Sequence, residues 1–103
     1  MKSEKDTNPM KNAETVDTAR PGWEHRRPML WVFSPAASGN PMMRDSVKRA
    51  RPGAFCVVKR PTQKPAYLAV YWHRAVPMDT LDAAVERVEL AAEVGYHEAM
   101  RLL

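Results

Sequence analysis

Residues 54–73, Ala-Phe-Cys-Val-Val-Lys-Arg-Pro-Thr-Gln-Lys-Pro-Ala-Tyr-Leu-Ala-Val-Tyr-Trp-His, decide the fold. Two runs rich in aromatic and β-branched residues, Ala54 to Arg60 and Ala66 to His73, flank the loop Pro61-Thr62-Gln63-Lys64-Pro65. That is the pattern of a β-hairpin. Alternation in the second run sends Leu68, Val70 and Trp72 to one face, and Tyr67, Ala69, Tyr71 and His73 to the other.

Upstream, Pro28 to Ser34 reads as a strand stopped by Pro35, and its nearly unbroken apolar character predicts a central position. After a loop of small residues, Asn40-Pro41 opens a helix from Pro41 to about Ala50: asparagine caps, and proline takes the first position, where no N–H is needed. Pro52-Gly53 ends it. Downstream, Asp79 or Thr80 caps a second helix, with Leu81, Val85, Val88 and Ala92 as its apolar stripe. Gly95 marks a stop near Val94. Glu98 to Leu103 is read as a short last strand, since an exposed helical tail would leave Met100, Leu102 and Leu103 in water. The order β-α-β-β-α(-β) predicts a small α+β two-layer sandwich on the ferredoxin-like split-βαβ plan. Residues 1–27 are polar, with no apolar period, and read as a disordered arm. Residues 28–103 form the single domain, with Trp23 expected to dock on its edge.

Charge is sorted along the chain. Between His25 and Arg74 stand ten basic residues against one acid, Asp45; from Ala75 to Leu103 there are six acids and two bases. A positive segment beside a negative one steers polyanions to one surface. Arg44, Lys48 and Arg51 share a helix face at spacings of about 5–6 Å, which suits neighbouring phosphates. Arg49 lies beside them, Lys59, Arg60 and Lys64 lie at the hairpin tip, and Arg26 and Arg27 in the arm. All nine are candidate nucleic-acid contacts. Trp31, Tyr67 and Tyr71 are candidate stacking residues, on the expectation that they share an open sheet face. The plan is shared with RNA-recognition motifs, and Leu30-Trp31-Val32 resembles their short first-strand motif. Lys64-Pro65-Ala66-Tyr67-Leu68 does not supply the basic–glycine–aromatic pattern of their third strand, so the chain is not assigned to them.

Nothing in the sequence has the spacing of catalysis. His25, His73 and His97 form no i, i+4 pair, Cys56 is alone in an apolar strand, and no phosphate-binding glycine loop is present. No catalytic residue, metal ligand or cofactor is expected. With no run of 18 apolar residues, a soluble cytoplasmic protein without a membrane partner is expected. The reading is a non-enzymatic accessory or regulatory protein that binds DNA or RNA. The alternative is an interaction module for an acidic protein, or one that blocks a nucleic-acid-binding protein. A homodimer through Ala92, Gly95 and Ala99 of the acidic helix is a further possibility.

Overall fold

The computed structural model describes residues 15–16 and 20–103. In chain order these form strands β1 (Trp23–Arg27) and β2 (Leu30–Phe33), a short helix α1 (Pro35–Ser38), and a 3-10 turn (Pro41–Met43) leading into α2 (Arg44–Arg49). Strands β3 (Phe55–Lys59), β4 (Tyr67–Tyr71) and β5 (Arg74–Met78) follow, then the C-terminal helix α3 (Leu81–Leu102). The expectation of an arm over residues 1–14 and 17–19 lies outside the described residues.

All five strands join one antiparallel sheet in the order β1-β2-β3-β4-β5. The expected hairpin is present, with Phe55 opposite Tyr71 and Lys59 opposite Tyr67. The α+β class therefore holds, but the split-βαβ order does not describe this sheet. That plan makes the strands on either side of the first helix parallel, whereas β2 and β3 are antiparallel neighbours, with Trp31 opposite Val57. The cause is the broken connection between them. Ser34 caps α1 by accepting from Ala37 N, Gly39 ends it in the left-handed region, and Asn40 caps the next turn by accepting from Met42 N. Two short helices thus double back to the end of the sheet they left, where one long helix would have crossed it.

Alternate residues of the strands face α3. Trp31, Phe33, Phe55, Val57, Tyr67, Ala69 and Tyr71 are buried, and they meet Leu81, Ala84, Val85, Val88, Ala91 and Ala92 of the helix. Thr80 caps α3 by accepting from Ala83 N, as expected. Ser46, fully buried on α2, donates its hydroxyl to Ala92 O at 2.6 Å and fixes α2 against α3.

Three boundaries differ from the sequence reading. Trp23–Arg27, placed in the arm, is an edge strand: Trp23 docks on Phe33 at 5.0 Å between ring centroids and donates its indole N–H to Glu89 at 2.8 Å. Arg74–Met78 is a second edge strand, carrying Pro77 where a missing N–H costs no ladder bond. Glu98–Leu102 is helical, with Leu103 as its C-cap, and is not a strand. Gly95 (φ 88, ψ 172) does interrupt the helix, but it resumes at once. The tail is held because the Tyr71 hydroxyl donates to Leu103 O, Arg74 donates to Met100 O, and Met100 and Leu103 pack on the core. The stripe Ala92, Gly95 and Ala99, considered for a dimer, is buried in its own domain.

Candidate nucleic-acid interface

The strand register sorts the nine candidate cations into two groups. Arg27 is opposite Leu30, Leu30 opposite Val58, and Lys59 N donates to Met29 O, so Arg26, Arg27, Lys59, Arg60 and Lys64 gather at the hairpin-tip end. Arg44, Lys48, Arg49 and Arg51 precede the other end of β3. Four residue steps from Phe55 to Lys59 hold the ends about 13 Å apart along the strand alone. One continuous basic patch is therefore not what the fold builds.

At the tip, several of these charges already have local roles. Arg60 donates to Pro65 O at 2.7 Å and braces the hairpin loop. The Lys59 ammonium lies over the Tyr67 ring, 5.7 Å from its centroid. Arg26 pairs with Glu24 at 3.2 Å. Arg27 and Lys64 are exposed, with no ion pair among the described residues.

The α2 end is different. Arg49 pairs with Asp45 one turn earlier, at 3.1 Å, while Arg44, Lys48 and Arg51 are exposed and without an ion pair among the described residues. The carboxylates of α3 turn elsewhere: Glu86 and Glu89 to Arg20, Glu93 to Asn40, Glu98 to Arg101. Arg44 and Lys48 keep their field on α2, but the helix ends at Arg49 and Ala50 is extended, so Arg51 lies beyond it and does not share their helix face as expected.

Beside them is a cleft of about 480 Å³, lined by Arg49, Arg51, Gly53, Trp72, His73 and Tyr96 among others. Its rings come from two places, the turn between β4 and β5 and the helix α3. Trp72 follows β4 and meets Phe55 edge-on at 4.9 Å, Tyr96 meets Trp72 at 5.4 Å and 85°, and His73 meets Tyr96 at 6.1 Å. The interruption at Gly95 is what sets Tyr96 against Trp72. An added Cβ there would sit 3.3 Å from Asp45 Oδ2, in a φ that side chains rarely adopt. Trp72 itself holds φ 57, unusual for a bulky residue, and its indole N–H is buried without an acceptor among the described residues. The positive φ is what a two-residue turn between β4 and β5 requires of its first residue.

Trp31, Tyr67 and Tyr71 are not a stacking platform: they are 0%, 7% and 0% exposed, because the face they share lies under α3. The reachable rings beside the α2 cations are Trp72, His73 and Tyr96. Sequence reading passed over Trp72 and His73 as the end of a strand, and Tyr96 as tail. The signal available was their position next to turn residues at the basic end. Cys56 points to the face opposite α3, half-exposed, with burial pushing its thiol pKa up. No helix among the described residues is long and apolar enough to cross a membrane. Comparison with protein-family models, curated proteins and solved structures gives no match.

Proposed function

We propose that this is a small, non-enzymatic nucleic-acid-binding protein of the accessory or regulatory kind, acting in the cytoplasm, and that its contact surface is the α2 end. Arg44, Lys48 and Arg51 meet phosphates, and one or two bases of a single strand enter the cleft against Trp72, His73 and Tyr96. The observation that carries this reading is the sharing of one cleft by Arg49, Arg51 and those three rings. Guanidinium groups and aromatic faces together hold single strands with little regard to sequence. Arg27 and Lys64, about a strand length away, add weaker contacts to a longer ligand. The lone thiol, Cys56, suits a reducing compartment.

Fluorescence anisotropy with labelled single- and double-stranded oligonucleotides, between about 50 and 300 mM salt, tests the proposal. Single strands should bind more tightly and quench indole emission. Lys48→Ala with Arg51→Ala should flatten the log–log salt slope by about 0.7 for each lost phosphate contact. Absence of binding at low salt would remove the nucleic-acid reading and leave an acidic protein surface as the ligand for the same cations.

A further inference from the structure

The face of the sheet away from α3 is apolar and uncovered. Register places its side chains in two rows. One runs Leu30, Val58, Leu68, Pro77, and the other Val32, Cys56, Val70, Ala75, each residue directly opposite the next across neighbouring strands. The six on β2, β3 and β4 are partly buried and the two on β5 exposed. No described element packs on them. A surface of this kind is smooth, because branched and small side chains stand at even height, and it is large. Four strands, β2 to β5, at about 4.8 Å spacing and each about 17 Å long, give a footprint near about 330 Å², within the range of patches that carry interactions, with Glu24 and Arg27 of β1 at its rim.

We propose that this face is the interface of a homodimer, covered by the same face of a second copy of this chain. Three observations favour that occupant. The N-terminal segment outside the described residues is a poor cover, since residues 1–14 hold only Met1, Pro9, Met10 and Ala13 as apolar side chains. Even, aliphatic rows suit sheet-on-sheet packing at about 10 Å, with strand directions within about 30°. The rim also carries both signs: Arg27 on the β1 edge, opposite Leu30, and Asp79 just beyond Met78 on the β5 edge. A two-fold axis along β3 lays each β1 edge over the partner's β5 edge, at the same end of the sheet. It thereby brings Arg27 toward the partner's Asp79. Such an interface is isologous and self-complementary. The same axis puts both α2 ends on one side of the dimer.

The footprint removes about 650 Å² from both copies together, below the usual size of a stable specific interface, so the dimer is a weak one, with Kd of about 10–100 μM. Cys56, on the central strand, lies near the axis. Sheets about 10 Å apart keep its Cα farther from the partner's than the 4.4–6.8 Å a disulfide needs, so the thiol stays free but hidden.

The proposal stands independently of the nucleic-acid reading, and its test uses the full chain without nucleic acid. Sedimentation velocity from about 1 μM to about 1 mM should show a monomer passing to a dimer. Alkylation of Cys56 should slow at least fivefold over the same range. Val58→Lys should abolish both effects while leaving the far-ultraviolet circular dichroism unchanged. Arg27→Asp should weaken association several-fold, and Arg27→Asp with Asp79→Arg should restore it. A monomer at every concentration overturns the proposal, as does a Cys56 alkylation rate that does not change with concentration, whether fast because the face is free or slow because the chain's own residues cover it. A dimer that survives Val58→Lys uses another surface and overturns it equally. Should Val58→Lys unfold the domain, the wild-type alkylation series alone decides.

Discussion

The two faces of this sheet are built from alternate residues of the same three central strands, and both are apolar, yet only one is a core. Under α3 lie Trp31, Phe33, Phe55, Tyr67 and Tyr71, with Val57 and Ala69 between them. On the other side stand Leu30, Val32, Cys56, Val58, Leu68 and Val70. Size separates them. A helix laid on a twisted sheet leaves an uneven gap that large rings fill, here with tilted and edge-on contacts such as Phe33 to Phe55 at 77°. Short aliphatic side chains instead leave a level surface, the kind another sheet can meet. Where both faces of a strand are apolar, the bulk of its side chains says which one takes the helix.

That comparison predicts its largest effect at the fully buried ring. Trp31→Ala should cost about 3–5 kcal/mol, enough to leave so small a domain largely unfolded, as read by urea titration of circular dichroism. Val32→Ala, one residue along on the open face, should cost about 1 kcal/mol or less when measured on dilute protein. Comparable losses at the two positions would mean that the open face is also buried, and the distinction would fall.

The same two faces explain how much the sequence revealed. Alternation correctly grouped Trp31 with Tyr67 and Tyr71, because a period of two is set by the pleat alone. It could not say that α3 covers that group, since Leu68 and Val70 offer the helix an equally apolar alternative. The edge strands were hidden for a different reason. In Trp-Glu-His-Arg-Arg only Trp23 is partly buried, so β1 has no apolar alternation to read, and in β5 Pro77 looks like a strand breaker until the strand is known to lie at an edge. The tail was misread because its apolar residues needed a surface, and the surface comes from residues distant in sequence: Tyr71 and Arg74 supply donors to its last carbonyls. The cleft was illegible for the same reason, since Arg51, Trp72 and Tyr96 meet only once β3, β4 and α3 are in register.

At that cleft, Tyr96→Ala should weaken binding of a short single strand by about 1–3 kcal/mol, the contribution of one stacked base, with little change in the salt slope. Tyr67→Ala, beneath α3, should instead lower the unfolding midpoint and alter affinity only through lost folding. A titration in which both variants fold and bind alike would place stacking on the covered face after all.

Gly95→Ala joins the two measurements. Its φ of 88 and ψ of 172 lie in a region essentially reserved for glycine, at about 1–3 kcal/mol for a residue with a Cβ, and the new methyl would press on Asp45 Oδ2. A modest drop in stability should come with a larger drop in oligonucleotide affinity, because Tyr96 would lose its place against Trp72. Loss of stability alone, with affinity intact, would show that the position of Tyr96 is not what binding requires.

The smallest effect belongs to the β1 edge, where polar contacts replace burial. Arg20 reaches Glu89 and, at 3.3 Å, Glu86, while the Trp23 indole donates to the second oxygen of Glu89. With the Arg20 side chain one-third exposed, Arg20→Ala should cost less than about 1 kcal/mol of global stability, and most of that should vanish in high salt. Its clearer consequence is local. Hydrogen exchange at the amides of Trp23–Arg27 should quicken while β3 and β4 keep their protection, because β1 has a neighbour on one side only and is tied to α3 by this cluster. Uniform exchange across all five strands would mean that β1 is held by the sheet as firmly as the centre is, with Glu89 contributing nothing to its attachment.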